Sequence, residues 1–187
     1  MSLEPAEVAD WLRMQIPLAS GEMLYGVVDG AQDWELAYEA QCLFGQEIRS
    51  LFQGDSAASV ANVAPYLVPI DPKSNYLHHW AARVGKNAGI LLTTAASVDQ
   101  LHAHLRKLFI ITDETGQEFF FRFYDPRVVR VFLPACTPAE LAEFFGPIQW
   151  LFLEGPEPQA WLRFQKASDR LVQTSLNFPA SIPSTVT

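Results

Sequence analysis

The side chains best suited to chemistry in this chain are four histidines, two cysteines and a charged knot at residues 119–127, FFFRFYDPR. Within that knot stand a guanidinium (Arg122), a phenol (Tyr124), a carboxylate (Asp125) and a second guanidinium (Arg127). Such a set can hold an anion, orient a ligand, or pair internally, because a guanidinium offers a fork of donors matched to a carboxylate. An arginine set among phenylalanines needs a partner of this kind, since an unpaired buried charge is very costly. Two roles stay open at this point. Arg122 and Asp125 either pair to orient the chain, or they meet a partner directly.

Metal chemistry has little support. His102 and His104 lie two apart on an expected helix and point roughly 200° apart, so one ion cannot take both. His78 and His79 are adjacent and diverge likewise, and no cysteine or carboxylate spacing completes a zinc set. No metal or other cofactor is expected. Cys42 and Cys136 lack CxxC spacing and read as reduced, buried thiols. There is no GxSxG elbow, no GxxxxGK[ST] loop and no GxGxxG after a strand, and Ser97 reads as a helix cap. No catalytic residue is assigned and an enzyme is not expected. The competing reading is a small-molecule enzyme or sensor built on the Arg122/Asp125 cluster.

The elements that position these groups follow from periodicity. Val8, Trp11, Leu12 and Ile16 predict a helix over 4–16 ended by Pro17. Strands are expected at 24–28, 48–52, 66–70 and 90–94, with helices at 34–43 and 74–86. Ser97 and Gln100 form a capping-box pair opening a helix with Leu101, Leu105 and Leu108 on one face. A hairpin follows, from Phe109 to Thr112 through the turn at 113–116 into the phenylalanine-rich strand. Alternation puts Phe119, Phe121 and Phe123 on one face of that strand and Phe120, Arg122 and Tyr124 on the other. It reads as an interior strand covered on both sides. Asp125-Pro126 then caps a helix, and Thr137-Pro138-Ala139-Glu140 opens another that halts at Gly146-Pro147. Late strands are expected at 148–153 and 161–165.

These elements predict an α/β (α+β) protein with a mixed β-sheet flanked by helices. A main body over 1–154 is expected, with a small C-terminal lobe and loose tail over 155–187. The chain has 187 residues, enough for a sizeable core, and 13 Phe and 5 Trp to fill it. Its net charge is −8, and the acidity is uneven. Residues 1–47 carry nine carboxylates against Arg13 alone, while the remainder carries twelve of each sign. With no basic footprint, nucleic acid is not an expected partner. The acidic quarter reads as a solvated face, or as a surface complementary to a basic protein. No stretch approaches the roughly 20 apolar residues that span a bilayer, so no membrane insertion is expected. The acidic start MSLEPAEVADWLRMQ lacks a signal-like pattern, so a cytoplasmic location is expected.

Five segments, in order, resemble one family. LYGVVDGA (24–31) resembles the opening strand and turn of the type VI secretion effector chaperones, also called adaptors (Tap or Tec). APYLV (64–68), LHAHLR (101–106), FRFYDPR (121–127) and FFGP (144–147) are similar to that family's later motifs. The resemblance implies a non-enzymatic bacterial protein of the cytoplasm. It would bind a cognate toxic effector and help load it onto a VgrG-type spike protein. By the same analogy Arg106, Arg122, Tyr124, Asp125 and Arg127 are the candidates for fold-critical or partner-contacting residues.

Overall fold

The computed structural model describes residues 4–52, 61, 63–113, 115–157 and 159–178. Among the described residues, nine strands lie at β1 (Met23–Asp29), β2 (Arg49–Ser50), β3 (Pro65–Ile70), β4 (Gly89–Thr94), β5 (Ile110–Thr112), β6 (Glu118–Phe120), β7 (Trp150–Glu154), β8 (Ala160–Ala167) and β9 (Arg170–Asn177). Six helices accompany them: α1 (Pro5–Gln15), α2 (Trp34–Phe44), α3 (Tyr76–Ala81), α4 (Val98–Lys107), α5 (Pro126–Phe132) and α6 (Pro138–Phe145). Seven strands form one sheet in the order β2-β3-β1-β4-β7-β8-β9, and β5 pairs with β6 as a separate hairpin. The expected α+β class, a sheet flanked by helices, is what the chain adopts. The expected mixing of strand directions is not seen: every pairing among the described residues is antiparallel, as the helical connections that join sheet neighbours, β1 to β3 and β4 to β7, return the chain in the opposite direction.

Strand alternation sorts the core into two layers. Leu24 and Val28 of β1, Tyr66, Val68 and Ile70 of β3, Leu91 and Phe152 face α1, α2 and α3. Tyr25, Val27, Leu67, Ile90, Leu92, Leu151 and Leu153 face α4, α5, α6 and the 109–124 segment. Both faces of the central strands are therefore apolar, as expected where helices cover a sheet on each side. Gly26 has a specific reason to be glycine. A Cβ there would stand 2.6 Å from Cζ3 of buried Trp80 and 3.1 Å from Cδ1 of Ile70. Gly26→Ala is expected to cost about 1–3 kcal/mol by overpacking, read as a lower urea midpoint at unchanged slope.

Both sequence-read capping boxes are present, Ser97/Gln100 on α4 and Thr137/Glu140 on α6. Several elements differ from expectation. α3 stops at Ala81, well short of 86: the chain tightens into turns, the Arg83 N–H donating to the Trp80 carbonyl and the Val84 N–H to that of Ala81, and Gly85 and Asn87 then turn through positive φ (93° and 53°). The buried carboxylate of Glu154 then captures this loop, accepting the N–H groups of Gly85 and Asn87. Burial outweighs those donors and raises the Glu154 pKa. β2 shrinks to two residues, and β9 is an element the sequence reading left out. Its exposed and half-buried positions mix Leu and Val with Gln, Thr and Ser, a weak signal typical of an edge strand. The boundary expected near 154 falls between β7 and β8, which are neighbours in the one sheet. Of the expected loose tail, only Phe178 is among the described residues, packed edge-on against Trp11. A turn expected from Gly54-Asp55-Ser56, after the second strand, lies outside the described residues.

The phenylalanine-rich segment also departs from its expected form. β6 holds only Glu118–Phe120, and Phe119 and Phe120 are exposed. The chain leaves the hairpin at Phe121 and turns, with the Asp125 N–H donating to the Arg122 carbonyl. Asp125 must cap α5 and Pro126 has no N–H to give a ladder, so an extended strand cannot run on to the helix. Phe121, Phe123 and Tyr124 are buried, but in a turn packed on the sheet and not in an interior strand.

Candidate functional site

The charged knot closes on a residue 93 positions away. β1 ends at Asp29, whose side chain is 1% exposed. Its Oδ1 accepts the N–H groups of Ala31 (3.1 Å) and Gln32 (3.3 Å), an Asx-type turn. Its Oδ2 accepts from Nη2 of Arg122 at 2.5 Å. Asp125, also buried, lies 3.6 Å from the same guanidinium nitrogen and binds Arg127 far more closely. Nε and Nη2 of Arg127 reach its two oxygens at 2.9 Å each, a bidentate pair, and the Arg127 N–H caps through Oδ1 at 3.0 Å. The expected Arg122–Asp125 pair is thus the weaker contact, and Asp29, at the end of β1, is the principal partner. The guanidinium of Arg122 also stands 5.8 Å from the centroid of the Tyr124 ring.

The electrostatics follow from this packing. Burial pushes the Asp125 carboxyl up, but the Arg127 hydrogen bonds and the charges of Arg127 and Arg122 outweigh it and hold it below its ordinary value. Burial, with the charge of Asp29 beside it, pushes Tyr124 up to about 12. Tyr124 therefore keeps its proton at neutral pH. Of the five sequence candidates, Arg122, Tyr124, Asp125 and Arg127 meet at this corner. Arg106 does not: it sits exposed in the last turn of α4, away from the cluster.

A second pair of motifs meets between α4 and the end of α6. Nε2 of His104 on α4 lies 2.9 Å from the Phe144 carbonyl of α6, so that nitrogen carries the proton and donates. Burial lowers the His104 pKa despite that bond. α6 ends at Gly146, at φ 44°, where a methyl group would overlap the His104 ring. Acid should therefore weaken the fold in two windows. Both His104 and Asp125 bind a proton more tightly when unfolded, so protonation favours unfolding in each case. The His104 contribution is expected to fade as pH drops below about 6.5, and that of Asp125 only below about 4. Urea melts from pH 8 to pH 3 check this, with Asp125→Asn flattening the lower limb.

A groove of about 340 Å³ lies between the hairpin and α6. Lys107 and Leu108 from the end of α4, the three residues of β5, and Phe121, Phe132 and Phe144 line it, with Glu140 and Glu143 of α6 on one wall. Phe121 and Phe132 are in ring contact, centroids 4.5 Å apart, so the floor is a packed aromatic surface. Arg122 anchors the residue next to that floor. Sequence reasoning did not find this groove. Its one signal was the apolar pair Ile110-Ile111 directly before a turn, and exposure of such a pair cannot be read from residue types.

Among the described residues there is no cluster of three or more His, Cys, Asp or Glu able to hold a metal ion, and no helix long and apolar enough to cross a membrane. Cys42 is exposed, contrary to expectation, because it continues the outer Trp34–Tyr38 stripe of α2. Burial pushes the half-buried Cys136 thiol up to about 11, a poor nucleophile at neutral pH. No curated protein and no solved structure matches the chain. A family model does, described as a domain of unknown function, DUF4123, over residues 24–143. That span takes in both halves of the Asp29–Arg122 latch and most of α6, and the chain belongs to the DUF4123 family.

Proposed function

We propose that this protein is a type VI secretion effector adaptor, which binds a cognate toxic effector in the bacterial cytoplasm and helps load it onto a VgrG-type spike. The observation that carries this reading is the ordered run of five adaptor-like motifs over residues 24–147. Its segments pack together in pairs: Asp29 of the first with Arg122 of the fourth, and His104 of the third with Phe144 and Gly146 of the fifth. Motifs so used explain a fold, leaving the surface beside them to do the binding. The aromatic groove is a concave apolar surface of the kind that takes a polypeptide side chain. The enzyme or sensor alternative has less support. Both carboxylates of the corner already accept three N–H hydrogen bonds each, and Tyr124 holds its proton firmly.

The test is co-expression with the secreted protein encoded beside this gene, followed by affinity capture and gel filtration. A stoichiometric complex that also retains the adjacent spike protein is the expected result. Absence of any complex, together with turnover of a metabolite by the purified chain, would overturn the reading.

A further inference from the structure

The outer edge of β5 is an open template. In an antiparallel pair, hydrogen-bonded residues alternate with residues whose N–H and C=O point away from the partner strand. The Phe121 N–H donates to the Phe109 carbonyl at 2.7 Å, and the Asp113 N–H to the Gln117 carbonyl at 3.0 Å. With Ile111 opposite Phe119, the hydrogen-bonded positions on this strand are therefore 109, 111 and 113. The main-chain groups of Ile110 and Thr112 consequently point away from β6, and among the described residues no strand pairs with that edge. All three residues of β5 line the groove, so its unpaired edge opens into the groove and not onto bare solvent.

We infer that the groove receives an extended segment of the partner polypeptide, added as a third strand on β5. Apolar side chains of the segment rest on Phe121, Phe132 and Phe144, and a lysine or arginine faces Glu143. This deepens the adaptor reading and rests on it for the identity of the partner. Three observations select this occupant. An exposed edge with unsatisfied N–H and C=O groups recruits a strand, as in β-strand addition, whereas a helix would leave those groups unpaired. The groove edge presents Ile110 and Ile111 to solvent, an apolar cost that a covering strand removes. The groove holds two carboxylates on the α6 wall against one cation, Lys107; Glu140 is engaged by the Thr137 cap, and exposed Glu143, in no ion pair among the described residues, is the group offered to a second cation.

The experiment uses the full chain and the effector encoded beside it, with affinities measured by titration calorimetry and amide exchange measured with and without effector. Thr112→Pro deletes one outward N–H while leaving the β5–β6 ladder untouched, and Glu143→Lys reverses the wall charge at an exposed site. Each is expected to weaken binding at least tenfold with unchanged melting. In the wild-type complex the Ile110 and Thr112 amides are expected to exchange at least a hundredfold more slowly than in the free chain. If the wild type binds but both variants bind within twofold of it, or those two amides gain no protection, the strand-addition inference is wrong while the adaptor reading stands. Pairing of β5 with a second copy of this chain, seen as a dimer that effector does not disrupt, also overturns it. If the wild type does not bind the effector, both fall together. Should Thr112→Pro misfold, the exchange result decides alone.

Discussion

Arg122→Ala is expected to unfold far more easily than the wild type, by about 3 kcal/mol, because it strands a buried carboxylate. Asp29 is 1% exposed and would keep only the N–H groups of Ala31 and Gln32. Removing one member of a buried pair ordinarily costs about 3–5 kcal/mol. The lower end applies here, since the Arg122 side chain is 40% exposed and water screens part of the attraction. Two other contributions act in the same direction: the lost stacking on Tyr124 and the lost second contact to Asp125. A urea melt would show a lower midpoint, and the variant would express poorly at 37 °C. If instead the variant melts like the wild type but fails to capture its effector, Arg122 is a contact residue and the latch account is wrong.

Gly146→Ala is expected to be comparably damaging, by about 3 kcal/mol from backbone strain and steric overlap together. The backbone at Gly146 has φ 44° and ψ −112°, a conformation closed to residues with a Cβ. The new methyl would also run into the His104 ring, which is fixed by its bond to the Phe144 carbonyl. Either α6 loses its final turn or the imidazole swings out. The second outcome has its own signature: His104, freed from burial, titrates back toward the ordinary histidine value of about 6.5. Proton NMR of the His104 ring separates that outcome from simple strain.

Much of the fold was legible in the residues. Capping boxes, the prolines at the first positions of α5 and α6, and the apolar runs of β1, β3 and β4 marked their elements because each signal is local. The hairpin at 109–120 was legible too, but the fate of its second strand was not. Three consecutive phenylalanines read as a doubly buried strand, whereas two of them are exposed and the third begins the turn into α5. Composition reports how apolar a segment is, and packing around the hairpin decides which side meets water. The corner shows the same division. Arg122, Tyr124, Asp125 and Arg127 were picked out by adjacency, yet the strongest partner, Asp29, belongs to a segment 93 residues earlier, and no spacing rule links the two. Arg106 was carried over with its motif, but that motif contributes His104 to the packing. The groove was illegible for a further reason: it exists only where α4, β5, α5 and α6 converge.

The ion pair of Asp29 and Arg122 ties the end of β1 to the residue that follows Phe121, and a double-mutant cycle addresses it most directly. Asp29→Ala, Arg122→Ala and the double variant would each be melted in urea at pH 7. A coupling of about 2 kcal/mol is expected, with the double variant no less stable than Arg122→Ala alone, as befits a buried pair removed together. Additive losses, with no coupling between the two sites, would mean that the corner does not hold the strand-to-helix turn in place.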